Sequence, residues 1–340
     1  MIREISFAEA WQMKEHLFID VRSENEFQQD HIPGAVNIPL LNNQEREKTG
    51  TIYKQESPKL ARKYALAVVG PKLPDLIEQI EALREGKQLV LYCWRGGERS
   101  KALATVLDLM HLPVYRLLTG YKGYRSYVNQ WWAQIFPFAV VVLHGLTGVG
   151  KTLILQHMQQ NGLQVLDLEG LAKNRGSVFG SIGLEPQPSQ KMFESLLWRQ
   201  MQDFDVNQPI FVECESKRIG KLLVPDALRQ GMRQGKRVLI YDTIANRAER
   251  ILQDYQPESH QEAVIKAILC LQKKLGKETI DFLISQVKNG QYKAVIKVLF
   301  QKYYDPLYHY PAQPAAEYDI SINGADGNLA AKEIAAYFIR

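Results

Sequence analysis

The sequence has few cysteines and no long hydrophobic run. Its 340 residues include only three cysteines, too few for the disulfide framework of a small secreted domain. The longest apolar stretch lies around residues 138–143, far short of the roughly 20 residues that a membrane-spanning helix needs. The N-terminus carries Glu4 and Glu9 and lacks the apolar core of a signal peptide. We therefore expect a cytoplasmic protein with no membrane partner.

The composition also lacks an excess of charge of either sign. A net charge of +5, with 46% hydrophobic and 23% charged residues, is typical of a globular protein and excludes a disordered or fibrous chain. The charge is uneven, because residues 216–250 hold nine basic and three acidic side chains. Such a stretch fits a groove for a polyanion and equally a solvated helix face, and the pattern leaves both open.

Short apolar runs alternate with helical patterns along the whole chain, which predicts an α/β fold in both halves. The length favours two domains. We place their boundary near Pro137, giving an N-terminal domain at 1–137 and a second domain at 138–340 with a helical, basic portion at about 250–310. The predicted strands are 17–21, 88–92, 138–143, 165–168, 210–213, 238–241 and 318–322. Helices are predicted at 73–84, 100–110 and from about 329.

The first chemical motif directly follows the predicted strand 88–92 and reads Cys93-Trp94-Arg95-Gly96-Gly97-Glu98-Arg99-Ser100. A cysteine in a glycine-bearing turn between strand and helix lies where backbone N–H groups converge and favour an anion. Arg95 and Arg99 add positive charge, which favours the nucleophilic thiolate of Cys93. Phosphatase loops share the spacing Cys-x5-Arg, so the spacing leaves the reaction open. A buried structural cysteine is the simpler alternative.

The second motif, residues 145–152, fits the P-loop pattern G-x4-G-K-[ST] and lies between a predicted strand and a helical stretch. In such loops the glycines, here Gly145, Gly148 and Gly150, let backbone amides surround phosphate oxygens. Lys151 reaches toward the terminal phosphates, and Thr152 is placed to bind Mg²⁺ beside them. The motif indicates a diphosphate or triphosphate but does not identify the compound.

Four further residues are candidates for the same phosphate site. Glu213 and Glu215 follow the predicted strand 210–213 and would complete a Mg²⁺ site, although ordinary strand-end carboxylates fit equally well. Arg175 and Ser177 follow the predicted strand 165–168 and could face the same phosphates, with plain loop structure as the alternative. No metal site is certain from these residues.

Three segments in the first half resemble the rhodanese signature. They are Asp20-Val21-Arg22 with Glu26-Phe27, then 31–39 (HIPGAVNIP), and 118–125 (LTGYKGYR) near the end of the domain. They occur in the family's order around the Cys93 loop. The resemblance implies a rhodanese-like domain whose cysteine carries sulfur or selenium as a persulfide-type adduct, and it disfavours a phosphatase. Asp20, Arg22 and His31 fit architectural roles, because a carboxylate and a guanidinium near a strand end usually tie loops together.

A rhodanese domain ahead of a P-loop domain resembles the bacterial tRNA 2-selenouridine synthase family along nearly the whole chain. The motifs that carry this resemblance are 92–100 (YCWRGGERS), the P-loop, 167–172 (DLEGLA), 175–180 (RGSVFG), 187–194 (QPSQKMFE), and Glu213 and Glu215-Ser216 with Ile219-Gly220. Cys214 departs from the family, in which we expect an acidic residue at that position.

This resemblance implies a two-step reaction on a wobble uridine that already carries a 2-thio group. The sulfur first attacks geranyl diphosphate, and selenium from selenophosphate then replaces the geranylthio group. We expect Cys93 to carry selenium, with Arg95 and Arg99 holding selenophosphate or stabilising the developing selenolate. Lys151 and Thr152 are expected to hold the diphosphate of the geranyl donor, a nucleotide or a tRNA phosphate. No tightly bound cofactor is expected, because both donors are substrates; a requirement for Mg²⁺ stays open.

The implied macromolecular partner is tRNA, contacted in its anticodon region. We expect backbone contacts from basic residues that follow Glu215, namely Lys217, Arg218, Lys221, Arg229 and Arg233. A geranyl tail needs an apolar pocket, and the candidates, which fit helix core better, are Phe179, Met192, Phe193, Leu197 and Trp198. Two other functions stay open: a sulfurtransferase with a nucleotide-regulated P-loop domain, and a P-loop kinase with a rhodanese interaction module. The sequence leaves the oligomeric state open.

Overall fold

The computed structural model describes residues 2–339, which divide into two compact units. The first unit holds residues 2–134 together with Glu194–Arg199, and the second holds 135–193 and 200–339. Each unit contains a parallel five-stranded sheet flanked by helices. The predicted α/β class is confirmed. None of the helices among the described residues is long and apolar enough to span a bilayer.

In the first unit the sheet has the order β1-β5-β4-β2-β3, which puts β4 at its centre. Its strands are β1 (Arg3–Ile5), β2 (His16–Asp20), β3 (Val36–Asn37), β4 (Gln88–Tyr92) and β5 (Val114–Leu117). The helices are α1 (Phe7–Trp11), α2 (Glu24–Gln29), α3 (Asn43–Gln55), α4 (Pro58–Val69), α5 (Leu73–Arg84), α6 (Glu98–Leu109) and α7 (Gly120–Trp132).

The buried apolar runs were the accurate part of the prediction for this unit. β4 and α5 have the predicted bounds, and β2 begins one residue earlier than predicted. The sequence analysis did not predict α3 or α4. Helix α3 buries no side chain, so its sequence has no apolar face from which a helix could be predicted. Its first residue is determined by a capping box, in which Asn42 and Glu45 exchange hydrogen bonds. Helix α4 follows Ser57, which caps it, and has proline at its first position.

The sheet of the second unit has the order β12-β11-β6-β8-β7. Its strands are β6 (Val140–His144), β7 (Val165–Leu166), β8 (Ile210–Glu213), β11 (Lys236–Tyr241) and β12 (Ile320–Asn323), and β9 (Arg218–Ile219) pairs with β10 (Leu222–Leu223) in a separate hairpin. The first helices are α8 (Lys151–Gln160), α9 (Leu168–Ala172), α10 (Gln190–Met201), α11 (Asp226–Gln234) and α12 (Ile244–Tyr255); residues 194–199 of α10 belong to the first unit. The others are α13 (Gln261–Leu269), α14 (Gln272–Leu275), α15 (Lys277–Lys288), α16 (Tyr292–Leu299), a π-helical turn (Phe300–Tyr304), α17 (Asp305–Tyr308) and α18 (Gly327–Phe338).

The strand order of this sheet determines the edge at which a ligand can bind. Strand β6 is central and runs parallel to both β8 and β11, while β7 runs parallel to β8. The loops after β6, β7 and β8 therefore leave the same edge of the sheet, where ligands bind in open α/β sheets. Strand β7 is shorter than predicted because Asp167 already caps α9 through the N–H of Gly170. The predicted helical portion is present as α12–α17, which packs around its own apolar cluster.

Candidate functional site

The cysteine motif forms the loop between β4 and α6. Strand β4 is buried from Leu89 to Tyr92, and Cys93 continues it at 3% exposure. The Sγ atom of Cys93 lies 3.3 Å from Oγ of Ser100, in the first turn of α6. Trp94 and Arg95 are exposed. The sulfur therefore lies beneath its loop, and a reagent must approach it past these exposed residues.

The chain after β5 holds this loop in place. The N–H of Tyr121 donates to the carbonyl oxygen of Cys93 at 2.8 Å, and the N–H of Lys122 donates to that of Trp94 at 3.0 Å. Gly120 has φ of +56°, and a Cβ atom there would lie 2.2 Å from the Cys93 carbonyl oxygen. Only glycine fits this approach. The close packing explains why a Gly-Tyr pair belongs to the rhodanese-like segment 118–125.

The two arginines of the loop have different surroundings. Arg99 pairs with Glu26 at 2.6 Å, whereas Arg95 is exposed and has no ion pair among the described residues. Burial raises the pKa of the Glu26 carboxyl, but the hydrogen bond and charge of Arg99 outweigh burial and lower it. A third arginine, Arg116, donates to the carbonyl oxygen of Gly96 from within the sheet. Arg95 is thus the one with free charge to offer an incoming anion.

The residues expected to be architectural make buried contacts. Arg22 is 1% exposed and donates to Asp20 at 2.6 Å and to the carbonyl oxygen of Asp30 at 2.7 Å. Its guanidinium lies 4.0 Å from the centre of the Tyr121 ring. The backbone N–H of Tyr121 also donates to the Cys93 carbonyl oxygen. Arg22 therefore connects the end of strand β2 to the cysteine loop through Tyr121.

The P-loop joins β6 to α8, and its lysine is already hydrogen-bonded to the loop. The Nζ atom of Lys151 donates to the carbonyl oxygens of Gly145 at 2.9 Å and Leu146 at 3.4 Å. Gly145 has φ of +146°, and a Cβ atom there would lie 2.3 Å from the carbonyl oxygen of Ile240 in β11. The loop is therefore closely packed on the neighbouring strand. The ammonium group of Lys151 can donate to a phosphate oxygen in place of a loop carbonyl oxygen.

Two arginines of α12 fix the outer side of the P-loop. Arg247 is 1% exposed; it donates to the Thr147 carbonyl oxygen at 2.8 Å and pairs with Asp305 at 2.6 Å. Arg250 donates to the Gly148 carbonyl oxygen at 3.1 Å. Both belong to the basic stretch 216–250, for which a polyanion groove and a solvated helix face were both left open, and the burial of Arg247 fits neither of them. The sequence analysis missed their role because residues far apart in sequence meet only in the fold.

A cleft of about 630 Å³ opens at this edge of the second unit. It brings together all the residues that the sequence analysis assigned to phosphate or substrate: Gly145, Gly148, Gly150, Lys151, Thr152, Arg175, Ser177, Glu213 and Glu215. Arg175 donates to the Ile182 carbonyl oxygen at 3.0 Å and stacks over Tyr255, and Ser177 lies 3.4 Å from the Tyr255 hydroxyl. These two side chains are thus held within the wall of the cleft.

Four carboxyl groups from the ends of β7 and β8 share one side of the cleft: Asp167, Glu169, Glu213 and Glu215. The Glu169 N–H donates to Oε1 of Glu213 at 2.8 Å, and the side chains of Glu169 and Glu215 are hydrogen-bonded. Burial, reinforced by the neighbouring negative charges, raises the pKa of Glu169 to about 9 and that of Glu213 to about 8. Oε2 of Glu213 is buried with no hydrogen-bond partner.

Asp167 and Glu169 were not among the predicted site residues. The signal that could have found them is their position directly after a parallel strand, which is the same signal that selected Glu213. Within residues 2–339 no group of three or more His, Cys, Asp or Glu side chains has the arrangement of a complete metal site.

Two family models match the chain. A model for the AAA domain of tRNA 2-selenouridine synthase covers residues 138–333, and a rhodanese-like model covers 6–127. The chain belongs to the tRNA 2-selenouridine synthase family. The resemblance drawn from the motifs is confirmed, as is the combination of a rhodanese domain with a P-loop domain, and membership implies a tRNA substrate.

Two solved structures are also similar to parts of this synthase family member. One is an N-terminal domain from Clostridium difficile 630 described as ATP/GTP binding, at 38% identity over 36% of this chain and 97% of that one, with a TM-score of 0.36. The other is an uncharacterized protein from Eubacterium ventriosum ATCC 27560, at 11% identity over 59% of this chain and 97% of that one, with a TM-score of 0.26. Neither TM-score is high enough to carry an argument.

The basic residues expected to contact tRNA in this synthase lie on two elements. Lys217, Arg218 and Lys221 are exposed on the β9–β10 hairpin, which follows Glu215 of the cleft. On α11, Arg233 is exposed, whereas Arg229 pairs with Asp226 at 2.6 Å. The hairpin is therefore the part of the basic stretch that combines free charge with a direct covalent connection to the cleft.

An apolar pocket of about 60 Å³ adjoins the P-loop. Its lining includes Thr147 of the P-loop, Phe179, and apolar side chains of α12 and α16 such as Ile251 and Ile296. Of the side chains considered for a prenyl tail, only Phe179 contributes. Phe193, Leu197 and Trp198 are fully buried core residues, as the simpler alternative predicted, and Trp198 packs in the aromatic cluster of the first unit.

Proposed function

We propose that the protein converts wobble 2-thiouridine of tRNA into 2-selenouridine in two steps, through S-geranyl-2-thiouridine, with geranyl diphosphate and selenophosphate as substrates. The observation that supports this most is that the cleft with the P-loop lies next to an apolar pocket. Thr147 of the P-loop lines both the cleft and the pocket. A molecule with a diphosphate head and an apolar tail matches that combination. We expect a reaction that uses tRNA and selenophosphate to take place in the cytoplasm.

In the first step the thiocarbonyl sulfur attacks the carbon that bears the diphosphate. A C–S bond forms, the C–O bond breaks, and diphosphate leaves, while the base loses its N3 proton to solvent. Lys151 serves this step by moving from the Gly145 and Leu146 carbonyl oxygens to the leaving diphosphate, whose negative charge it stabilises together with the loop amides.

The tail of the donor would lie in the apolar pocket beside Thr147. Burying hydrocarbon there is favourable at about 25 cal/mol per Å² of apolar surface. The pocket is narrow at about 60 Å³, so the tail must displace side chains as it enters. Phe179, Ile251 and Ile296, on a loop and two helices, are the side chains that would move apart.

The oxygen donors around Thr152 fit a Mg²⁺ ion that arrives with the diphosphate. Hard oxygen ligands suit Mg²⁺, and the buried Oε2 of Glu213 has no hydrogen-bond partner. Because the pKa of Glu213 is raised to about 8, Mg²⁺ would displace a proton from this carboxyl as it binds. Thr152 and Glu213 would hold the ion, with phosphate oxygens and water completing its shell. Such an ion would neutralise charge on the leaving diphosphate.

The second step belongs to the cysteine loop. Alkylated sulfur is a far better leaving group than a thiocarbonyl, so selenium can replace it. The Cys93 loop presents backbone amides and the free charge of Arg95 to selenophosphate. The Cys93 thiolate attacks the phosphorus atom, the P–Se bond breaks, and the released hydrogen selenide adds to C2 of the base. The C–S bond then breaks and geranylthiol leaves, while water hydrolyses the S–P bond on Cys93 and releases phosphate. Cys93 thus frees the selenium and Arg95 anchors the anionic donor; Arg99, paired with Glu26, shapes the loop.

The test is a reconstitution with a thiolated anticodon stem-loop, followed by nucleoside mass spectrometry. With geranyl diphosphate alone, we expect S-geranyl-2-thiouridine to accumulate, and adding selenophosphate should convert it to 2-selenouridine. Formation of 2-selenouridine without geranyl diphosphate would contradict the two-step proposal. Turnover of ATP that needs no RNA would favour the kinase alternative.

A further inference from the structure

Three tyrosine rings form a layered surface at the end of the helical portion. The rings of Tyr304 and Tyr308 are 6.3 Å apart between centroids and 3° from parallel, and those of Tyr308 and Tyr310 are 6.2 Å apart and 9° from parallel. The geometry follows from the backbone. Helix α17 ends at Tyr308, and the next residue, His309, has φ of +55°. This left-handed residue turns the chain so that the rings before and after it share an orientation.

The open end of this surface lies in the phosphate cleft. Tyr308 and Tyr310 both line the cleft that contains Lys151 and Thr152. Tyr308 is 38% exposed, so part of its ring is open to the cleft. Tyr310 is fixed: its hydroxyl lies 3.2 Å from Sγ of Cys214, and the ring of His144 packs edge-on against it at 5.6 Å.

The side chains beside these tyrosines favour an uncharged flat group over a phosphate. Cys214, which contacts Tyr310, and Glu215, whose charge acts on Tyr308, carry no positive charge, and the loop built for phosphate, with Lys151, is another part of the same cleft. A nucleotide bound across the cleft would therefore place its base, not its phosphate, on the tyrosines. Any base has an aromatic face that stacks on such rings.

We propose that Tyr308 and Tyr310 form a stacking platform for the target base, holding the thiouracil ring in the cleft while its sulfur faces the donor on the P-loop. This inference rests on the proposed function, because it assumes that the modified nucleoside is the acceptor at the P-loop. Enzymes that act on a base commonly take it out of the stack and hold it between aromatic or apolar side chains, and a preformed platform lowers the cost of doing so.

The experiment measures binding of two anticodon stem-loops to the full chain by fluorescence anisotropy at one fixed salt concentration. One RNA carries 2-thiouridine at the wobble position, and the other is abasic there. A stacked base contributes an amount that corresponds to about 5- to 150-fold in affinity. The wild-type protein should therefore prefer the thiolated RNA by a factor in that range, and Tyr308→Ala should abolish the preference without changing affinity for the abasic RNA.

Two further variants separate stacking from damage to the fold. Tyr308→Phe keeps the aromatic face and should keep the preference. Tyr337→Ala removes a ring of similar exposure, 46%, on α18 and outside the cleft lining, and should behave as the wild type. An undiminished preference in Tyr308→Ala overturns the platform, and so does an equal loss of affinity for both RNAs.

The outcome also distinguishes this inference from the proposed function. Wild-type protein that shows no preference for the thiolated RNA and forms no S-geranyl nucleoside contradicts the proposed function itself. Wild-type protein that geranylates the RNA, combined with an unchanged preference in Tyr308→Ala, contradicts the platform alone.

Discussion

Replacing Gly120 by alanine should disable the cysteine loop without touching the sulfur. Gly120 has φ of +56°, and the added Cβ atom would lie 2.2 Å from the Cys93 carbonyl oxygen and 2.5 Å from the Gly96 nitrogen. These are backbone atoms, so they cannot rotate away as a side chain would. The loop must move away from the start of α7, taking Cys93 with it.

The magnitude follows from two contributions. An alanine in the left-handed region costs about 1–2 kcal/mol. Displacing the Cys93 carbonyl oxygen from the Tyr121 N–H, now 2.8 Å away, removes a hydrogen bond that contributes about 0.5–1.5 kcal/mol. We expect Gly120→Ala to lower the free energy of unfolding by about 1.5–3.5 kcal/mol, the sum of the two. The selenium step should fall much further than stability, because the position of the sulfur changes.

Gly86 provides a matched control. It lies in the same unit with φ of +82°, but nothing is within 4 Å of its Cβ position. Gly86→Ala should therefore show the backbone cost alone, about 1–2 kcal/mol, and retain wild-type chemistry. The stability of both variants is measured by urea unfolding. Their activity is measured as conversion of S-geranyl RNA to 2-selenouridine, without denaturant and at a temperature at which both variants are folded.

Wild-type selenium transfer by folded Gly120→Ala would refute this reasoning, because it would show that the loop geometry around Cys93 does not depend on the contact with α7. Equal losses of activity in the two variants would refute it too, since only one of them meets the loop.

The remaining predictions concern the second unit. Lys151→Ala should weaken the binding of geranyl diphosphate, measured by calorimetry, about 10- to 100-fold, because charge-assisted hydrogen bonds to the donor are lost. The control Lys297→Ala, at an exposed lysine, should bind the donor as the wild type does. Equal affinity in the wild type and both variants would show that the P-loop does not bind the donor. Burial, together with nearby positive charge, lowers the pKa of His144 to about 4. The unfolded chain, with its histidine pKa near about 6.5, binds more protons between these values, so stability is lost as pH falls. Unfolding free energy should therefore drop by about 2 kcal/mol more from pH 7 to pH 5 in the wild type than in His144→Phe, and parallel pH curves for the two would contradict the assignment.

The parts of the fold that could be predicted from the sequence are those with a local cause. Strand β4 has an uninterrupted apolar run and α5 an apolar face at helical spacing, and both have the predicted bounds. Helix α3 was missed because it buries nothing and depends on a cap. Strand β7 was overextended because an N-cap, not the end of the apolar run, terminates it.

The candidate site divides in the same way. The P-loop is a contiguous motif, so its residues were predictable and stay the leading candidates for the diphosphate. The groups around it come from distant segments. Arg247 looked like part of a basic surface, yet it is buried against the Thr147 carbonyl oxygen. Likewise Tyr308 lies in a segment broken by prolines, and only the turn at His309 brings its ring into register with Tyr310. Contacts between residues so far apart in sequence depend on tertiary packing, which the local sequence pattern does not predict.

The central claim is that one chain divides two chemical steps between two sites, and Cys93→Ala tests it most directly. The variant is incubated with thiolated stem-loop RNA, geranyl diphosphate and selenophosphate, beside the control Cys270→Ala, which removes an exposed thiol remote in sequence. Nucleoside mass spectrometry should show S-geranyl-2-thiouridine accumulating at the wild-type rate in Cys93→Ala with no 2-selenouridine, while the control completes both steps. Loss of geranylation in Cys93→Ala, or continued formation of 2-selenouridine, would contradict the account.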